Sequence, residues 1–313
     1  MWGEFKSRFG WRARAFLIDW EGYGAGSLLT LSRRLAPGFS LTYIPWGPEL
    51  PTGFPPENRA SALGELARKL KPLLPSNTVF ARFEPAWLLE NNEDAALAAN
   101  GFRRGVTVQA PDTVHINLLP SNEEILAAMK SKWRYNISLA EKKGVNVSAG
   151  GERELEIFYS LLKETAARDK ISIHSLAYYK TLFQICRNRE DLQLRLYTAS
   201  HENDTIAAIV TLFYRESATY LYGASSNIKR NLMAPYALQW KAARDAKEAG
   251  CLYYDLFGIP PDDNPNHPMA GLYRFKTGFG GRIIHRPGSW DYPYKKTARY
   301  LFSLAERLRK KTL

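Results

Sequence analysis

The chain has 313 residues, with 43 Lys and Arg against 31 Asp and Glu and 45% hydrophobic residues. That is the composition of one large globular domain or two ordinary ones, and it excludes a disordered or fibrous chain. No run approaches the ~18 apolar residues of a membrane span, and the first residues, "MWGEFKSRFG", have no apolar signal core. Cys186 and Cys251 make no CxxC unit, and the five histidines make no HExxH or His/Cys cluster. These features predict a soluble cytoplasmic protein with reduced thiols and no metal. The net charge of +12, without a zinc-finger, RNP or basic-zipper pattern, points to a phosphate-bearing partner that is not read by sequence.

Three β-rich runs open the chain, "ARAFLIDW", "GSLLTLSRRL" and "FSLTYIPWG", separated by Gly, Pro and Ser as in a β-meander. A helix is expected over 56–74, with Leu63, Leu66, Leu70 and Leu73 at helical spacing, then a strand "NTVFARFEP", a short helix and a strand near "DTVHINLLP". Residues 121–145 read as one long helix, opened by the Ser121–Glu124 capping box and closed by Gly144. Helices follow over 156–170 and 175–188, then strands over 192–200, 204–215 and 217–225. Pro235 opens another helix that Gly250 closes before "CLYYDLFGI", and a basic amphipathic helix, "KKTARYLFSLAERLRKK", ends the series.

A duplication is visible in this order. "LTYIPWG", a helix and "TVFARFEP" in the first half match "TYLYGAS", a helix and "LYYDLFGI" in the second. The alternation makes the fold class α/β (α+β), and the order of helices between antiparallel strands resembles the acetyltransferase-like fold, as two tandem domains. In acyl-CoA enzymes of that shape, a glycine-containing loop offers N–H groups to the pyrophosphate at a helix N-terminus. The corresponding segment here, "SSNIKRNLMAP", contains no glycine, which disfavours CoA.

Eight segments in order then carry a resemblance: "WGEFKSRFGW", "YIPWGP", "KSKWRYNISLAEKKGVNV", "KETAARDKISIHSLAYY", "TYLYGASS", "MAPYALQWKAARDAKEAG", "YYDLFGI" and "YRFKTGFGG". Together they cover nearly the whole chain, and it resembles the Fem peptidoglycan-bridge aminoacyltransferases. The resemblance implies transfer of an amino acid from aminoacyl-tRNA to the stem peptide of UDP-MurNAc-pentapeptide or lipid II, with no cofactor. It implies the compact family form, without a coiled-coil arm; a monomer in peripheral contact with the inner membrane leaflet is further expected. Residues 1–148 plus 287–313 are expected to form the precursor-binding domain and 149–286 the aminoacyl-tRNA side. Two other readings stay open: a twin-domain transferase with another donor or a protein acceptor, and a non-catalytic RNA- or membrane-surface binder.

The same resemblance assigns roles to particular residues. Lys276 and Phe275 face the reaction centre, with Lys276 stabilising the oxyanion and Gly278, Gly280 and Gly281 admitting the tRNA acceptor end. Lys6 serves the precursor's pyrophosphate, and Glu84 contacts the precursor, against a structural ion pair with Arg82 or another cation. His174 and Tyr178 bind substrate from one helix face, with Arg168 as a further phosphate ligand. Tyr220 and Tyr222, two apart on a strand, project to the same side beside the precursor. For each of these aromatic residues, core packing is the competing account. Asp255 reads as a turn-fixing carboxylate in preference to a general base.

Overall fold

A computed structural model describes residues 1–311. The chain forms two compact units: Met1–Pro111 together with the segment from His285 onward, and Asp112–Ile284. The division expected at 148/149 thus falls at 111/112. Residues 112–148 belong with the second unit because their strand and helices complete its sheet and core.

In the first unit, α1 (Trp2–Ser7) precedes the meander β1 (Arg12–Trp20), β2 (Gly24–Ala36) and β3 (Phe39–Ile44). The helix α2 (Arg59–Leu70) then crosses to β4 (Thr78–Phe83), which pairs parallel to β3. Its buried Leu63, Leu66 and Leu70 recur at 3–4 residues, and with Ala67 they pack on Ile44, Ala81 and Phe83 of the sheet. The short helix α3 (Glu93–Ala99) and the short strand β5 (Arg103–Arg104) follow.

The second unit opens with β6 (Thr113–Asn117), α4 (Asn122–Ala128) and α5 (Ser131–Lys142). The capping box at Ser121 forms as expected, but the single long helix does not. Met129 and Lys130 turn extended, with ψ of 152° and 143°, and the Lys130 N–H donates to the Gly278 carbonyl at 2.9 Å. The Arg134 guanidinium donates to the carbonyls of Ala127 and Met129, satisfying the end of α4. A tertiary hydrogen bond and a side-chain cap thus replace one helical turn that local propensity favours.

Then come β7 (Asn146–Gly150), α6 (Leu155–Asp169), α7 (Leu176–Arg187) and a second meander, β8 (Leu192–His201), β9 (Asp204–Tyr214) and β10 (Ser217–Ser225). The helix α8 (Ala234–Glu248) crosses to β11 (Tyr253–Asp255), which pairs parallel to β10, repeating the β3–α2–β4 connection of the first unit. The helix α9 (Ala270–Thr277) and strand β12 (Arg282–Ile284) close this unit, whose sheet order is β12-β6-β11-β10-β9-β8-β7. Its main core lies between the sheet and α5 and α8, around Trp133, Ile137, Leu238, Ala242 and Tyr254.

The chain returns to the first unit as β13 (Trp290–Pro293) and α10 (Lys296–Lys311), giving that sheet the order β1-β2-β3-β4-β13-β5. No described helix exceeds the 16 residues of α10, so no coiled-coil arm occurs among the described residues. No described helix is long and apolar enough to cross a membrane.

Candidate functional site

The segment "GLYRFKTGFGG" places most of its residues on α9 and buries Lys276, which is only 5% exposed. A lysine normally sends its ammonium to water, so its neighbours decide what this one is for. Its Nζ donates to the carbonyls of Phe257 and Gly258 at 3.0 and 2.9 Å, and it lies 5.2 Å from the centroid of the Tyr220 ring. Phe275 and Phe279 lie elsewhere than on the ammonium. They pack against each other and against Tyr236, and the Phe275 carbonyl accepts Trp133 Nε1 at 2.8 Å. The geometry therefore gives Phe275 a packing role.

The two carbonyls are presented by a shaped loop. Phe257 has φ of +55°, a left-handed conformation that is costly for a bulky residue unless its surroundings impose it. Asp255, at the end of β11, imposes it: its carboxylate accepts the Phe257 N–H at 2.7 Å and the Thr113 hydroxyl. His115 Nε2 stands 3.4 Å from the other carboxylate oxygen, at the outer limit of contact, and its ring stacks on Tyr253 at 4.6 Å. Asp255 is accordingly a turn-fixing residue. Its carboxyl sits below the usual range: burial opposes ionisation, but the His115 and Thr113 contacts outweigh it. Burial pushes the Lys276 ammonium down to about 7, against a smaller opposite pull from Asp255. With two protons given to carbonyls, the charged amine keeps one N–H for a substrate oxygen.

Thr113 and His115 escaped the sequence reading. They lie two apart on β6 and so share a face, and the missing information was that β6 pairs with β11, setting His115 opposite Asp255.

Tyr220 and Tyr222 do not share a side. A bulge in the pairing of β10 with β9 leaves Leu221 as the extra residue, so Tyr220 sits opposite Thr211 and Tyr222 opposite Val210. Tyr220 packs with the α8-side core beside Lys276, and burial raises its phenol to about 12. Tyr222 joins a different cluster, hydrogen-bonded to the Tyr178 hydroxyl and edge-on to Tyr179 at 5.1 Å. His174 precedes α7, outside it, yet its ring stacks on Tyr178 at 3.8 Å. The pair is brought together by stacking and not by a shared helix face. Arg168 is occupied, donating to the Ser225 carbonyl, Asn227 Oδ1 and Asp169.

That clamp extends along α6. The Glu164 carboxylate accepts the Asn227 N–H and the Ser226 hydroxyl, while Thr165 exchanges hydrogen bonds with the Ser225 backbone. The N–H groups of Ser225 and Asn227 are thus taken up by side chains of α6, where a phosphate-binding loop would offer its N–H groups to an anion.

The three glycines are likewise filled by the chain itself. A Cβ at Gly278 would fall inside the Trp133 indole, one at Gly280 would lie 2.8 Å from the Ala128 carbonyl oxygen, and one at Gly281 would lie 2.5 Å from that of His115. Their close approaches are to this protein's own α4, α5 and β6, which corrects the expectation that they admit tRNA.

In the first unit, Lys6 on α1 lies 4.5 Å from the centroid of the Trp2 ring, and its ammonium is lowered by burial and by Arg33. Glu84 is 2% exposed. Its carboxylate accepts the N–H groups of Val108 and Gln109 at 2.8 and 3.0 Å and the hydroxyls of Tyr43 and Ser289. Four donors of its own unit thus take up the Glu84 carboxylate, which favours a structural role over a precursor contact. Arg82, the first expected ion-pair partner, pairs instead with Asp291 and Glu306.

Known proteins share this architecture. The "Lipid II:glycine glycyltransferase" of Staphylococcus epidermidis is 21% identical over 381 aligned positions, covering 98% of this chain and 89% of that protein. The alignment is longer than this chain, so the relative carries inserted residues. A crystal structure of FemX matches with a TM-score of 0.82 at 19% identity, covering 96% of this chain and 93% of that one. A tandem GNAT protein from the clavulanic acid biosynthesis pathway matches with a TM-score of 0.50 at 14% identity, covering 88% and 82%. Both structural likenesses concern the fold, two acetyltransferase-like domains in tandem. The model of the family described as FemAB matches residues 1–201 and 185–307, nearly the whole chain, and this protein belongs to the FemAB family.

Proposed function

We propose that this protein is an aminoacyltransferase that moves an amino acid from aminoacyl-tRNA to the stem peptide of lipid II in the cytoplasm, building the interpeptide bridge. Family membership and the activity named for its relatives support the acceptor and the bond formed. The observation that carries the chemistry is the buried Lys276 amine, fixed by the Phe257 and Gly258 carbonyls. An aminoacyl ester is already activated, so catalysis needs orientation of amine and ester and a donor for the developing oxyanion. The remaining Lys276 N–H is that donor, and a desolvated ammonium attracts the oxyanion more strongly than a solvated one. The acceptor amine attacks the ester carbon, the tetrahedral oxyanion collapses, and the terminal ribose hydroxyl of the tRNA leaves with a proton.

Charge supports a precursor role for the first unit. It holds 21 of the 43 Lys and Arg and 12 of the 31 Asp and Glu, a net +9 against +3 for the second unit. A CoA donor lacks comparable support, since Glu164 and Thr165 hold the loop that would receive its pyrophosphate. The test is incubation with each labelled aminoacyl-tRNA and either lipid II or UDP-MurNAc-pentapeptide. Label entering lipid II supports the reading, and label entering only the UDP-linked precursor corrects the acceptor. Label in neither precursor, with equal affinity for charged and uncharged tRNA, replaces it with a binding function.

A further inference from the structure

The helix α10 is fastened along one side. The Phe302 ring lies 5.3 Å from Phe80, and Ala298 and Phe302 pack against the Leu31, Leu41, Tyr43, Val79 and Phe80 core. Arg299 reaches Asp291 at 3.2 Å, and Glu306 receives two bonds from Arg82 at 2.9 Å. These contacts fix the rotation of the helix, so what faces outward is determined.

The outward arc carries Tyr300 and Leu301, each 60% exposed, and Leu304 at 38%. Positions 300, 301 and 304 fall within one arc of about 100° on a helix. Among the described residues, the core of Leu31, Leu41, Tyr43, Val79 and Phe80 takes up Ala298 and Phe302 and not these three. Around it the sequence is basic: beside the inward-facing Arg299, α10 contains Lys296, Arg307, Arg309, Lys310 and Lys311 against one acid, Glu306, which Arg82 already holds. Lys295 and Lys296 at its start are exposed.

We propose that this face of α10 seats on an anionic lipid bilayer. An interfacial helix of this type sinks its apolar side chains to the headgroup–acyl boundary and sets its cations among acidic headgroups. Both features of α10 are then used. A nucleic acid would use the cations and leave the apolar arc idle. A second copy would bring two units of net charge +9 together, and that repulsion opposes self-association. The inference rests on the helix alone and is tested without substrate, so it and the transfer reading fail separately.

The experiment is flotation of the full chain with vesicles of phosphatidylcholine and of phosphatidylcholine mixed with phosphatidylglycerol. The protein is expected to float with the mixed vesicles and to lose binding as salt rises. Leu301→Glu combined with Leu304→Glu should lower partitioning by roughly tenfold or more, because both leucines then carry charge into the interface. Its thermal midpoint should stay close to the parent's, since Phe302, Arg299 and Glu306 are untouched. If that variant misfolds, Leu301→Cys bearing a polarity-sensitive fluorophore replaces it, and a blue shift on adding mixed vesicles is expected. Equal binding to both vesicle types, undiminished binding of a folded double variant, or no blue shift would overturn the proposal. So would a concentration-dependent dimer abolished by the double substitution, which would give this face to a second copy.

Discussion

Lys276 donates to the carbonyl of Phe257 at 3.0 Å, and Phe257 can present that carbonyl only because it is held at φ of +55°. Asp255 holds it there through the Phe257 N–H. The Lys276 amine is therefore positioned by backbone, not by a carboxylate partner. That leaves it desolvated without an ion pair to neutralise it.

Lys276→Ala should keep the fold and the lipid II affinity and lose about 2.7–4 kcal/mol of transition-state stabilisation, roughly 10²–10³ in kcat, as for removal of one oxyanion donor. Steady-state kinetics with separate titration of lipid II checks this. Near-normal kcat, or loss of lipid II binding instead, would show that Lys276 has a different role.

The Lys276 ammonium lies at about 7 in the folded protein against an ordinary 10.5. Between those values the unfolded chain binds more protons than the folded one, so the burial penalty is full below about pH 7 and fades as pH rises to 10.5. Lys276→Met should therefore raise the unfolding free energy near neutral pH by something on the order of 2–4 kcal/mol, after lost hydrogen bonds are counted. Denaturant titrations at neutral and at strongly alkaline pH should show that gain shrinking. A gain independent of pH would place the lysine charge in solvent.

If the charged amine is the oxyanion donor, kcat should fall as pH rises through about 7, and that limb should vanish in Lys276→Ala. Asp255→Asn removes the charge that pulls the lysine upward, so the limb should move to lower pH. With the Phe257 turn loosened, kcat should also drop by roughly 10–100-fold at unchanged KM. A limb that rises with pH and disappears in Lys276→Ala would make Lys276 a general base.

Glu84→Gln should destabilise the protein by about 1–3 kcal/mol, because a carboxylate accepting four donors is replaced by a group that must itself donate. KM for lipid II should not change. A raised KM at unaltered stability would return Glu84 to the binding surface.

Gly278→Ala adds a methyl inside the Trp133 indole at an ordinary helical φ of −73°, so only packing is disturbed. Overpacking of this kind costs about 1–3 kcal/mol. Calorimetry should show a lowered midpoint, and an unchanged one would mean that the indole yields freely.

The sequence by itself determined the two meanders, the β-α-β crossovers that repeat in both halves and the basic charge, because each rests on local periodicity or composition. It also carried the family resemblance, since eight motifs keep their order along the chain. Tertiary structure decided what depends on partners far away in sequence. The helix expected over 121–145 breaks at Lys130 because Gly278, 148 positions on, accepts its N–H. Tyr220 and Tyr222 part company because β9 imposes a bulge that strand alternation cannot foresee. The glycines after Lys276 serve Trp133, Ala128 and His115, and Glu84 is turned inward by Tyr43, Val108, Gln109 and Ser289. A residue type states which bonds it can make, but burial and the neighbours brought by folding select among them. For that reason Lys276 was legible as a candidate, whereas the Asp255–Phe257 brace that holds it came only from the pairing of β6 with β11 and the loop that follows.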